Sequence, residues 1–279
     1  MPINFNLKIH CNPDNFVIFS LPTSNSYQEI TSLSYVKDNC LLITDRTYSN
    51  KILVIKDIMT EEIKFKAILK SRKIDLNNIR SSFNDQQKKL VKENKYVNGK
   101  DAKIREIANP IRNNNITQVI KDSYEFVIAY LNYGNPQEGL YTYKQALEEK
   151  VTDCGGFSTL LAAILNANAI PTRLVIGFLL KKDLLTKIFY TGRFNLTFKN
   201  LLMHAWVEAL LPDSTWFPMD PSIDWKRRKG LTSREGGFGY IPNDRLITSF
   251  GEDFKLNVDG KNYEIPILQN PLRLKLLKK

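Results

Sequence analysis

The feature that most constrains this chain is a change of hydrophobic period at Pro171. Upstream, Phe157, Leu160, Leu161, Ile164 and Leu165 follow the i, i+3, i+4, i+7, i+8 spacing of a helix with one buried stripe. Thr152 or Asp153 can cap its start, and Asn168 to Pro171 stop it. Downstream, Thr172 to Leu180 (TRLVIGFLL) is rich in β-branched and large apolar residues, as a buried strand is. Met203 to Leu211 (MHAWVEALL) and Thr215 to Asp220 (TWFPMD) read as two more strands, joined by a Pro212-Asp213-Ser214 turn. A helix followed by antiparallel strands is an α+β arrangement.

The helix begins on a thiol. Cys154 falls in the first turn, where free backbone N–H groups and the positive end of the helix dipole are expected to lower its pKa. Gly155 and Gly156 carry no side chains, so backbone or substrate can come close. In the hairpin, a three-residue turn makes Leu211 face Thr215 and puts Trp206 opposite Asp220. His204 is then one step diagonal to Asp220 on the same face, roughly 7–8 Å away at Cα, within reach of an imidazole–carboxylate hydrogen bond. A one-residue slip would destroy the arrangement.

These three residue types meet one chemical need. A thiol attacks an acyl carbonyl as thiolate, an adjacent imidazole takes its proton, and a carboxylate fixes the imidazole's tautomer. The backbone N–H of Cys154 is one donor for the oxyanion; Tyr141, Tyr143, Gln145 and Trp206 are candidates for the second. Glu208 shares a strand face with His204 and is an alternative orienter. Asp213 and Asp224 read as turn residues, and Trp206 as a shield over the site or packing beneath a loop.

Upstream, residues 1–70 read as β. Ile3, Phe5, Leu7 and Ile9 alternate, and strands are expected at Asn15 to Ser20, Tyr27 to Val36, Cys40 to Thr44, Lys51 to Ile55 and Glu62 to Leu69. Such spacing suggests a small antiparallel sandwich. Residues 71–100 form a polar bridge, helical from Asp85 to Lys95. Helices follow at Asp101 to Arg112, shortened by Pro110, and at Ile116 to Tyr133, stopped by Gly134. Residues 135–151 read as a loop, and 181–200 as a loop in which Phe189, Tyr190, Phe194 and Phe198 pack over something. Further strands are expected at Arg245 to Phe250, Phe254 to Val258 and Tyr263 to Leu268. The resulting division is a β-rich domain over 1–72, a linker over 73–100 and a catalytic domain with closing strands over 101–279.

Charge and cysteines narrow the setting. The net charge is +11, and 12 Lys/Arg against 5 Asp/Glu lie between Lys70 and Arg112. No aromatic residues interleave with that cluster as in a base-stacking platform, so solvated helix faces account for it better than nucleic-acid binding. The clusters Lys226-Arg227-Arg228-Lys229 and Arg273 to Lys279 are read the same way. Three cysteines, Cys11, Cys40 and Cys154, with no basic-then-apolar opening, argue for reduced thiols and a cytoplasmic setting. Cys11 and Cys40 are most simply core residues, and a Cys11–Cys40 disulfide is not favoured. His10, beside Cys11 with no third ligand in view, reads as structural; no metal site is expected. No segment approaches the ~18 apolar residues of a membrane-spanning helix.

The runs DCGGFSTLLAAILNANAIPTRLVIGF, MHAWVEALLP and TWFPMDPS resemble the core of the transglutaminase-like superfamily. Ala169 stands where that family usually has Gly before Ile170-Pro171, and Thr172 where it usually has Ala; both are packing positions. The likeness is strong over about 101–221, while the β-rich start and FGYIPNDRLITSFGEDFKL resemble the amino-terminal domain and closing strands of bacterial members. The resemblance implies a papain-like core behind a small β domain and a Cys154–His204–Asp220 triad. It implies no cofactor. The implied reaction passes through an acyl-cysteine on an amide of a protein or peptide, with hydrolysis the first reading and transamidation the alternative. A noncatalytic peptide-binding module on the same fold is the rival outside enzymology.

Overall fold

Alternation of apolar and polar side chains builds the first part of the molecule. In the computed structural model, which describes residues 2–10, 15–36, 38, 40–56, 60–76, 82–181, 195–258, 260–266 and 272–275, strand β1 (Ile3–His10) buries Ile3, Phe5, Leu7 and Ile9. β2 (Asn15–Leu21), β3 (Gln28–Ser34), β4 (Cys40–Thr44), β5 (Lys51–Ile55) and β6 (Thr60–Leu69) follow at the expected places. Cys11, Phe189, Tyr190 and Phe194 lie outside the described residues. The remaining strands are β7 (Arg72–Lys73), β8 (Asn132–Tyr133), β9 (Val151–Thr152), β10 (Thr172–Leu180), β11 (Asn195–Leu196) and β12 (Leu201–Leu210). Then come β13 (Trp216–Met219), β14 (Tyr240–Ile241), β15 (Arg245–Phe250), β16 (Asp253–Val258), β17 (Lys261–Pro266) and β18 (Leu272–Lys275). The helices are α1 (Asp85–Lys88), α2 (Ala102–Ala108), α3 (Ile116–Tyr130), α4 (Tyr143–Glu149), α5 (Cys154–Ala167) and α6 (Pro221–Arg228). The molecule is α+β.

The chain divides into two units, one from Met1–Ser71, Ile176–His204 and Asn243–Lys279, the other from Arg72–Val175 and Ala205–Pro242. In the first, two four-stranded sheets run in the orders β11-β1-β6-β3 and β18-β2-β5-β4. Alternation in residues 1–70 yields six of these strands; β11 and β18 come from late in the chain. Phe5, Leu7, Phe19, Leu53 and Phe65 share one core with Phe178, Leu196 and Leu246. Two buried amides tie β15 to this core, because an amide buried without partners is costly. Gln28 accepts from Ile247 N–H and donates to its carbonyl, both at 2.7 Å, and Asn50 does the same with Phe250 at 2.9 and 2.7 Å. Phe198 packs edge-on against Phe19 and Phe178. The His10 ring rests 3.0 Å from Thr60 Oγ1 on an exposed edge, and among the described residues no metal-binding group of three or more His, Cys, Asp and Glu occurs.

The second unit carries helices α1 to α6. α3 presents the expected stripe, burying Val119, Ile120, Tyr124, Val127 and Ile128, but it ends at Tyr130 rather than at Gly134. Leu131 is already extended, and Asn132 and Tyr133 pair in parallel with Val151 and Thr152. α2 stops at Ala108, two residues before Pro110. The expected helix from Asp85 to Lys95 shrinks to α1, whose Gln87 donates to Pro212 O at 3.1 Å and Ser214 Oγ at 3.2 Å. One helix, α4, replaces expected loop, and another, α6, stands where no element was expected. α4 starts from a Thr142–Gln145 capping box, the signal that reveals it. α6 starts from Asp220 with Pro221 at the first helical position, a pairing that opens helices as readily as it ends strands.

Candidate active site

The start of α5 is set by its flank. Asp153 caps the helix: its Oδ1 accepts from Gly155 N–H at 2.8 Å and Gly156 N–H at 3.4 Å. A Cβ on Gly156 would coincide with Thr152 Oγ1, and one on Gly155 would meet Leu140 Cδ1 at 2.9 Å. The glycines therefore admit this chain's own neighbouring segments. The expected depression of the Cys154 pKa is overturned: burial pushes the thiol up to about 12, and the Asp153 carboxylate adds to the rise. The cap carboxylate satisfies the N–H groups and sets a negative charge where the positive end of the dipole would have acted. Ala205 N–H, donating to the sulfur, and the Lys226 ammonium act in the opposite sense.

The hairpin has the register expected from the sequence. Val207 pairs with Met219, Glu208 with Pro218, Ala209 with Phe217 and Leu210 with Trp216, and Leu211 N–H donates to Thr215 O at 2.8 Å. The ladder ends at Val207 and Met219, one residue short of Trp206 and Asp220. Asp220 is fully buried and joins β13 to α6. Its Oδ1 accepts from Ile223 N–H at 3.1 Å and from the Ser222 hydroxyl at 3.0 Å, while its own N–H donates to Gly237 O. Its charge also raises the Cys154 pKa, so these two residues act on one another within the second unit. His204 is buried on β12 and is the last residue of the first unit; the strand enters the second at Ala205, whose N–H meets the sulfur.

Other candidates have different duties. Glu208 is fully buried and held by Arg173, whose guanidinium lies over Trp216 at 4.2 Å. Tyr141 donates to Asn135 O at 2.7 Å, Tyr143 to Asp101 at 3.1 Å, and Gln145 completes the α4 cap. Trp206 is fully buried. Asp213 does form a turn, accepting from Thr215 N–H at 2.9 Å. Asp224 does not: it is buried in α6 and accepts from Tyr124 at 2.9 Å, Arg227 at 2.6 Å and Arg228 at 3.1 Å.

Two residues at the thiol escaped the sequence reading. Tyr133, read as the end of α3, lies on β8; burial, then the charges of Cys154, Asp153 and Asp220, raise its pKa, and the Cys154 N–H acts in the opposite sense. Its ring is flanked by Phe157 at 6.2 Å and Trp225 at 6.5 Å. Lys226, read as part of a solvated basic cluster, is half-buried with Nζ 3.3 Å from the Tyr133 ring centre. The early end of α3 could have pointed to Tyr133; no sequence signal marks Lys226.

Comparison with known proteins agrees with this architecture. Residues 105–221 match the family model of the Transglutaminase-like superfamily. No curated protein matches the chain. Among solved structures, the "Putative Cysteine Protease from Cytophaga hutchinsonii" is similar over 100% of this chain and 91% of its own, with 13% identity and a TM-score of 0.64. At that identity the likeness is one of fold. The periplasmic domain of TgpA from Pseudomonas aeruginosa aligns over 78% of this chain and 72% of its own, at 15% identity and a TM-score of 0.39.

Proposed function

We propose that this chain, which carries a transglutaminase-like core, is a cysteine hydrolase that cleaves an amide through an acyl-cysteine intermediate, with Cys154, His204 and Asp220 as its triad. The observation that carries the reading is the Ala205 N–H donating to the Cys154 sulfur: it sets the thiol against the strand at the residue following His204. A thiol raised to about 12 is protonated at neutral pH, so it needs a base to become a nucleophile.

In the proposed mechanism the His204 imidazole takes the Cys154 proton as sulfur bonds to the amide carbonyl carbon. The carbonyl oxygen becomes an oxyanion, received by Cys154 N–H and the Tyr133 hydroxyl, whose mutual influence puts them at one place. The imidazolium gives its proton to the nitrogen, the C–N bond breaks, and an amine leaves. Water, deprotonated by His204, then attacks the thioester; the acid departs and the thiol regains its proton. Asp220 orients the imidazole throughout.

Hydrolysis and transamidation share the thioester, and partitioning separates them. The purified protein is given an activated acyl ester in the presence of a fluorescent primary amine. The expected product is the free acid, with little amide at millimolar amine. Amide as the main product would overturn hydrolysis in favour of transamidation.

A further inference from the structure

The mechanism leaves one cation at the thiol without a part. Lys226 projects from α6, and its ammonium sits 3.3 Å from the centre of the Tyr133 ring. That distance is close for a cation on the negative face of an aromatic ring. The ring is fixed from other directions by Phe157 and Trp225, and its hydroxyl lies where the Cys154 N–H and sulfur both act on it. One side chain thus links the cation to the position where the oxyanion would form.

The charge balance at the sulfur points the same way. The charged groups acting most strongly on it are Asp153, the cap of its own helix, Asp220, the cap of α6, and Lys226. Two are anions and one is a cation. Lys226 feels Cys154, Asp220 and Asp153 in return, and it faces the further cation Arg234; burial lowers its pKa while the thiol and the two carboxylates raise it. Tyr133 on β8 is a further titratable group that acts with the sulfur in the second unit, and His204 on β12 is the proposed base.

Building on the proposed function, we propose that Lys226 is a positioning residue for the thiolate: its ammonium, seated on the face of Tyr133, offsets the negative charge that Asp153 and Asp220 set about Cys154. The inference assigns a role to a residue outside the triad and outside the three resembling sequence blocks.

Alkylation of Cys154 by iodoacetamide tests it without any substrate. Rates are followed from pH 6 to 11 in wild type, Lys226→Met and Lys226→Arg, with the modified residue identified by mass spectrometry and folding checked by near-UV circular dichroism. Lys226→Met is expected to slow alkylation at pH 8 about tenfold, the effect of one unit in thiol pKa. Lys226→Arg is expected to stay within about twofold of wild type. Should Lys226→Met fail to fold, Lys226→Gln, which keeps a polar end without the charge, is expected to show the same slowing. Superimposable profiles of wild type and the folded neutral variant would overturn the inference. If alkylation depends on His204 but not on Lys226, this inference fails and the catalytic reading stands; if it depends on neither, both fail.

Discussion

Arg173 holds Glu208 through two nitrogens, Nε and Nη2, each 2.7 Å from the same Oε2. Glu208 is wholly buried on β12, and the guanidinium that neutralises it is braced on Trp216. The pair engages the carboxylate that the sequence offers as the alternative orienter of the imidazole. Removing the cation strands a buried charge, a loss that typically costs about 3–5 kcal/mol. Arg173→Met should lower unfolding stability by that order in urea titration, and Arg173→Met with Glu208→Leu should recover most of it. Glu208→Gln should leave acyl transfer nearly unchanged, whereas Asp220→Asn should impair it.

The second concerns Gly156. A methyl group there meets Thr152 Oγ1, buried and without a hydrogen-bond partner among the described residues. Overpacking of this kind typically costs about 1–3 kcal/mol. Gly156→Ala should therefore destabilise the protein by that order, and adding Thr152→Ala should restore more than half, since no hydrogen bond is lost with the hydroxyl. Thermal denaturation of the two variants measures both effects.

These examples show what the sequence made legible. Alternation at Ile3, Phe5, Leu7 and Ile9, the stripe from Phe157 to Leu165 and the Leu211–Thr215 register are local patterns with one dominant solution, and each recurs in the structure. The short helix α6 was hidden because an Asp-Pro pair ends a strand and opens a helix with equal ease. Position in the first turn alone points the Cys154 shift the wrong way, because burial and the charge of the Asp153 cap outweigh the dipole. Tyr133 and Lys226 meet through tertiary packing, 93 positions apart in the chain, and no periodicity records it.

Tyr133 supplies the third prediction. If its hydroxyl donates to the oxyanion, Tyr133→Phe removes a bond made chiefly in the transition state. The loss should fall on kcat, about 10²–10³-fold, with KM little changed, as for other oxyanion donors. Steady-state kinetics on the activated ester, checked against the variant's near-UV circular dichroism, measures it.

The fourth is alkaline stability. An unfolded thiol ionises near 9, whereas the folded thiol holds its proton to about 12. Below pH 9 both states are protonated and the group contributes nothing. Between about 9 and 12 only the unfolded state releases the proton, so stability falls with rising pH by at most about 1.4 kcal/mol per unit. Tyr124 and Tyr133, also raised, add a fall in the same direction above pH 10. Cys154→Ser should flatten the thiol's part of the decline, read from urea midpoints at pH 8.5, 9.5 and 10.5.

The central claim is that one sulfur carries the acyl group and one imidazole makes it reactive. The most direct measurement is the mass of the acid-quenched protein after brief mixing with p-nitrophenyl acetate, with the modified residue located by peptide mapping. The account predicts a transient single acetyl group on Cys154 in wild type, none on Cys154→Ala, and a far slower appearance in His204→Ala. Acetylation of Cys154 at an equal rate in His204→Ala, or stable label confined to other residues, would contradict it.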